Sequence, residues 1–172
     1  MNDVLVYTRF TGQQYQTRAL CDASYGAAHD GRSTTGFLIY LNGNLISWKS
    51  SKQKTVALLS AEAEVDAAVT CIKEIKWIYG LLQEMEVYIP QPITLQEDNQ
   101  AVIALSEADI INSRTKHVAI KTAFLREQVV SQFINFEYCH STRMVADIMT
   151  KALNGQVFDD FKIELGLHDG GV

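Results

Sequence analysis

With 172 residues, a formal net charge of −5, 47% hydrophobic and 20% charged residues, the chain has the length of one domain and enough apolar content to bury a good core. Its acidity argues against a general nucleic-acid binder, which is normally basic. No apolar run approaches the roughly 20 residues needed to span a bilayer, and Met1-Asn2-Asp3-Val4 does not open a signal peptide, so a soluble, intracellular chain without a membrane partner is expected. Cys21, Cys71 and Cys139 are odd in number and far apart, with no zinc-ligand spacing, and read as buried, reduced thiols.

In chain order, residues 1–16 form an N-terminal extension of a single domain spanning 1–172. There Leu5-Val6-Tyr7 either adds a strand or belongs to whatever precedes the domain. Thr17 to Lys49 reads as a β-meander with strands at Thr17–Asp22, Gly36–Leu41 and Leu45–Lys49. Asn42-Gly43-Asn44 supplies the hairpin turn, because Asn and Gly tolerate positive φ. Ser60 is the expected N-cap of a long helix, with Glu62 and Glu64 in the first turn where they suit its dipole. Val65, Ala68, Val69, Ile72, Ile75, Tyr79 and Leu82 recur at helical spacing, so the helix should pack on the sheet. Pro90-Gln91-Pro92 ends that connection. A fourth strand follows at Ile93–Glu97, then a short helix from Asn99, a helix at Val118–Val130, a fifth strand at Phe133–Tyr138 and a last helix around Met144–Leu153. Trp48 and Trp77 suit either core packing or substrate stacking, with core packing the preferred reading.

If the first and fourth strands are neighbours with helices beside them, Asp22, Glu64, Asp98 and Asp147 converge at strand C-terminal ends. Hard oxygen ligands of that kind suit Mg²⁺, which prefers one or two carboxylates per ion together with phosphate oxygens and waters. Two such ions roughly 4 Å apart can activate a water and steady the leaving oxygen in phosphodiester hydrolysis. Helix phase selects Glu64 over Glu62. At about 100° per residue Glu64 lies in line with Ala68, Cys71 and Ile75, whereas Glu62 lies roughly 160° away. Asp147 carries the weakest signal of the four, since an acidic residue early in a helix is often only a dipole partner. Lys49, Lys52 and Lys54 form one basic cluster, and Arg114, Lys116, Lys121 and Arg126 form another within a stretch from Ile110 that has no acidic residue.

The words Asp22-Ala23-Ser24, Ser33-Thr34-Thr35-Gly36-Phe37, Ile46-Ser47-Trp48-Lys49-Ser50-Ser51-Lys52-Gln53, Ser60-Ala61-Glu62-Ala63-Glu64, Asp98-Asn99-Gln100-Ala101, Arg114-Thr115-Lys116-His117 and Ala146-Asp147-Ile148-Met149-Thr150-Lys151-Ala152-Leu153 occur in this order. Over residues 17–167 the chain thereby resembles the ribonuclease H domain that closes a copia-type retrotransposon polyprotein. The resemblance implies an α/β, ribonuclease H-like fold, a five-stranded mixed sheet with helices on both faces. It also implies endonucleolytic hydrolysis of the RNA strand of RNA–DNA hybrids during reverse transcription, with two Mg²⁺ or Mn²⁺ ions. In that reading Asp22 and Asp98 bridge the ions, Glu64 completes one and Asp147 holds the other. Ser24, Asn99, Gln100, Arg114, Lys116, His117 and Lys121 are candidate substrate contacts, Asn99 and Gln100 through ribose hydroxyls. His117 either faces phosphate or caps its helix. His140 is a candidate for assisting product release, near where cellular ribonucleases H keep a loop histidine.

The implied partners are the hybrid and the reverse transcriptase domain of the same polyprotein; the implied location is the cytoplasm, within a virus-like particle, or the nucleus. The chain has no polymerase segment of its own and reads as an excised or stand-alone domain. It departs from the family pattern at Ser24-Tyr25, at Glu97 where Cys is frequent, at Ala119 and at Ala123. Two other readings stay open. One is a catalytically silent module of the same fold that binds nucleic acid or protein. The other is an integrase-type core, disfavoured by the early Glu64 and by the Asp147 word with Thr150-Lys151.

Overall fold

A computed structural model of the chain describes residues 3–12, 14–108 and 116–170. Its main sheet has the order β4-β3-β2-β5-β6, from β2 (Thr17–Ser24), β3 (Thr34–Leu41), β4 (Asn44–Lys52), β5 (Ile93–Glu97) and β6 (Ile134–Tyr138). The first three strands are antiparallel; β5 and β6 run parallel to β2. The β3–β4 turn uses Asn42 and Gly43, both at positive φ, as Asn-Gly hairpins require.

Period-2 alternation splits the sheet between two cores. Ala19, Cys21, Phe37, Ile39, Ile93 and Leu95 face one side, where α1 (Ser60–Glu84), α2 (Gln100–Glu107) and α3 (Lys116–Val130) supply Val65, Ile72, Ile75, Val102 and Leu125. Leu20, Leu38 and Tyr40 face the other, against Met144, Val145, Ala146 and, from α4 (Gly155–Glu164), Phe161. Fully burying one such Leu, Ile or Phe contributes about 1.5–3 kcal/mol, so both cores help to hold the sheet. In α1 the residues meeting the sheet include Ala63, Ala67 and Ala68, all buried, and these small side chains let the helix axis approach β2 closely. No helix among the described residues is long and apolar enough to cross a membrane.

Four local expectations are corrected. The stretch Met144–Leu153 is not a helix: Ser141–Arg143 and Val145–Met149 are 3-10 turns, and α4 starts later, capped by the Asn154 side chain on the Val157 N–H at 3.1 Å. Burial of three successive residues, Met144, Val145 and Ala146, between β3 and α4 suits a tight 3-10 path better than the one-sided stripe of an α-helix. The N-cap of α1 is Leu59, not Ser60, and it has no side-chain cap; Glu62 accepts the Leu58 N–H at 2.8 Å instead. Trp48 and Trp77 are exposed, at 53% and 63%. Trp48 lies on the edge strand β4 and Trp77 on the outer side of α1, where neither core reaches. At the N-terminus the extra strand is β1 (Asp3–Leu5) rather than Leu5-Val6-Tyr7. It pairs antiparallel with β7 (Leu167–Asp169), and Asp3 and Lys162 form an ion pair of 2.8 Å.

Candidate active site

Asp22 is the sixth residue of β2 and pairs with Gly36 on β3. Asp98 follows the last residue of the adjacent parallel strand β5, and Glu64 projects from the second turn of α1. These three carboxylates each offer an oxygen lying within 4.8 Å of the other two. Asp22 and Glu64 are buried, Asp98 half-buried. Like charges this close cannot all persist without a cation. Accordingly the Glu64 carboxyl is pushed up to about 10, by burial first and then by Glu97, Asp22 and Asp98. Asp98 is raised by burial and by Asp22. Among the described residues, Glu64 Oε2 is a buried oxygen with no hydrogen-bond partner. An orphaned oxygen beside two further carboxylates is the donor set that a hard divalent cation fits.

Asp147, the fourth expected carboxylate, is not among the three that converge within 4.8 Å; it stands beside them from the opposite core, on the 3-10 turn Val145–Met149, and is linked to Asp22 through Lys151. Its carboxyl is pushed up to about 6, by burial first and also by Asp22 and Asp98, while Lys151 works the other way. The Lys151 ammonium lies 2.8 Å from Asp147 Oδ1 and 3.4 Å from Asp22 Oδ1, and the Thr150 hydroxyl donates to Asp22 Oδ2. Gly36 makes this approach possible, because a Cβ there would sit 2.6 Å from Thr150 Cγ2 and 2.7 Å from Met149 Cβ.

No family model matches the chain. The retrovirus-related Pol polyprotein from transposon RE1 of Arabidopsis thaliana is 33% identical over 157 residues, 91% of this chain. That from transposon TNT 1-94 of Nicotiana tabacum is 32% identical over 160 residues, 92% of this chain. The chain belongs to the Pol polyproteins of copia-type transposons. It spans only 11% and 12% of the length of those two relatives. Its fold is that of ribonuclease H. LC11-RNase H1, isolated from compost, superimposes with a TM-score of 0.60 at 12% identity, over 84% of this chain and 96% of that one. RNase H1 from Halobacterium salinarum superimposes with a TM-score of 0.58 at 14% identity, over 84% and 98%.

In this copia-type ribonuclease H fold the other candidate residues are scattered. Ser24 ends β2 next to the cluster. Asn99 caps α2, its side chain accepting the Ala101 N–H at 3.0 Å, and Gln100 is exposed at the start of that helix. Lys116 and His117 open α3 and are exposed, and Lys121 is tied to Asp66 at 2.5 Å. Arg114 lies outside the described residues. His140 caps the Ser141–Arg143 turn, with Nδ1 3.0 Å from Thr142 Oγ1. A groove of about 760 Å³ beside the first turns of α1 brings Lys49, Lys52, Lys54 and Lys73 together with His117 and Lys121, the last paired with Asp66, which lines the groove with Glu62.

Glu97, which in the sequence stands out only as a departure from the family pattern, is a participant in the site. It is fully buried, Oε2 accepts the Cys21 thiol at 3.3 Å, and Oε1 accepts the Asn99 N–H at 3.1 Å. Its carboxyl is pushed up to about 8, by burial first and by Asp98 and Asp22. The signal lies in β5, where Ile93, Leu95 and Glu97 alternate inward.

Proposed function

We propose that this chain is a metal-dependent ribonuclease H that hydrolyses the RNA strand of RNA–DNA hybrids. The observation that carries the reading is the convergence of Asp22, Glu64 and Asp98 within 4.8 Å at strand ends of a ribonuclease H fold. Asp22, Glu64 and Asp98 would hold one Mg²⁺ or Mn²⁺, and Asp22 with Asp147 a second. Bound there, such ions lower the pKa of a water and stabilise the leaving oxygen. The protein's own part is positional. Asp22 and Asp98 come from adjacent parallel strands, so their separation follows the sheet spacing, while the α1 packing holds Glu64 against them.

Substrate recognition is assigned to the groove of Lys49, Lys52, Lys54 and Lys73, whose ammonium groups suit a phosphodiester backbone. LC11-RNase H1 has been solved in complex with an RNA/DNA hybrid, which supports the same substrate class here. The polyprotein relatives support a role in reverse transcription, with the reverse transcriptase domain as partner; the location that goes with this reading is a virus-like particle in the cytoplasm, or the nucleus. The test is cleavage of a labelled hybrid with Mg²⁺, with Mn²⁺ and with EDTA, using the parent and Asp98→Asn. Metal-dependent cleavage with a 3′-hydroxyl product, lost in Asp98→Asn while the fold persists, is expected. Equal cleavage by the variant refutes the reading, and hybrid binding without cleavage by the parent favours a silent module.

A further inference from the structure

Lys151 occupies the place that the proposed two-ion reading gives to the second ion. Its ammonium bridges Asp147 Oδ1 at 2.8 Å and Asp22 Oδ1 at 3.4 Å, while the Thr150 hydroxyl holds the other Asp22 oxygen from the same side. Around Glu64 the arrangement differs, since Oε2 has no hydrogen-bond partner and Asp22 and Asp98 each offer an oxygen within 4.8 Å. The two halves of the cluster are thus unequal: one has an unpartnered Glu64 oxygen beside Asp98, the other already contains a cation. We propose that Lys151 is a built-in, displaceable counter-cation, so that divalent ions load in order, first at Asp22, Glu64 and Asp98, and then at Asp22 and Asp147 once the ammonium has swung away.

The local backbone permits that motion. The Lys151 N–H is bonded to the Asp147 carbonyl at 2.9 Å, which fixes the main chain, while the side chain is 38% exposed and only its tip is engaged. A rotamer change therefore suffices to vacate the place. The ammonium carries one charge at hydrogen-bond distance, whereas Mg²⁺ carries two and sits at about 2.1 Å from its oxygens, so the ion can win the competition where its concentration is high enough. Before loading, Lys151 keeps Asp22 and Asp147 from repelling each other, which holds the 3-10 turn Val145–Met149 in register with the strand ends.

The inference rests on the two-ion reading, and its test does not use turnover. Mn²⁺ is titrated into the parent, Lys151→Met and Lys151→Arg, with bound ion followed by electron paramagnetic resonance and heat, and melting is recorded in EDTA. The parent is expected to show a tighter and a weaker class of site. Lys151→Met should leave the tighter class within about twofold and tighten the weaker one about tenfold, the effect of removing one competing charge. It should also melt earlier without metal, and Lys151→Arg should restore the weak second class. A merely structural lysine would lower the melting temperature without tightening any site. If Lys151→Met fails to fold, Lys151→Gln, which keeps a donor toward Asp147, carries the same expectation. An unchanged, weakened or missing second class in the neutral variant, with the tighter class intact, overturns this inference alone. A parent that binds no Mn²⁺ overturns the metal reading as well.

Discussion

Replacing Glu97 by Gln isolates the cost of the buried carboxyl under the site. An acid whose carboxyl is raised on folding from 4.5 to about 8 is neutral in the folded protein and ionised in the unfolded chain between those values. Folding then takes up a proton, so the contribution to stability is fully present below about pH 4.5 and is lost as pH rises through about 8. At pH 7 the loss runs over about two and a half pH units at about 1.4 kcal/mol each, or roughly 3 kcal/mol. Gln fills the same volume, keeps an oxygen for the Asn99 N–H and never ionises. Glu97→Gln should therefore melt roughly 6–12 °C above the parent at pH 7 in EDTA, with the difference closing toward pH 4.5. Calorimetry at a series of pH values in EDTA reads this directly. A difference that does not change with pH, or a variant less stable than the parent at pH 7, would refute the assignment of Glu97 as a buried, proton-binding neighbour of the cluster.

Glu64→Gln should lower hybrid cleavage far more than Glu62→Gln, which keeps an amide oxygen for the Leu58 N–H, loses only its charge and should change stability by less than about 0.5 kcal/mol; single-turnover kinetics and melting curves separate the two, and the opposite ranking would mean the helix phase is wrong. Gly36→Ala should destabilise by about 1–3 kcal/mol through overpacking and weaken the ion site at Asp147, because its Cβ would strike Thr150 and Met149; unchanged Mn²⁺ stoichiometry and melting would count against it. Neutralising Lys49, Lys52 and Lys54 together should flatten the salt dependence of hybrid binding, by about 0.7–0.9 in log–log slope for each phosphate that is no longer neutralised. Binding curves at several salt concentrations test this, and an unchanged slope would place the substrate elsewhere.

Where local pattern and burial coincide, the sequence is readable. The three-strand meander, the Asn42-Gly43 turn and the inward phase of Glu64 follow from periods of 2 and 3.6 and from the backbone preference of two residues. The convergence of Asp22 and Asp98 follows once their strands are taken as neighbours, and the parallel pairing of Arg18 with Thr94 supports that. Long-range partners are not readable: β1 and β7 stand at opposite ends of the chain, and no local pattern signals their pairing. The Asp147 segment reads wrongly as a helix because its apolar residues are buried on several sides at once, which erases the amphipathic signature. The resemblance, not the periodicity, singles out Asp147. Glu97 escapes because an acidic residue in an inward strand position defies the polarity rule on which strand phase is read.

The sheet with a separate core on each face makes the carboxylate cluster mechanically divisible. Glu64 rides on the packing of α1 and Glu97 faces the same core from β5, whereas Asp147, Thr150 and Lys151 ride on the packing beneath α4, and Asp22 on β2 links the two. A loosened Phe161 would slacken one group of ligands and spare the other; a loosened Ile72 would do the reverse. Sequence drift in such a chain can therefore wear the site down by halves, and a worn copy would pass through a stage in which its first cation still binds while the second has lost its seat.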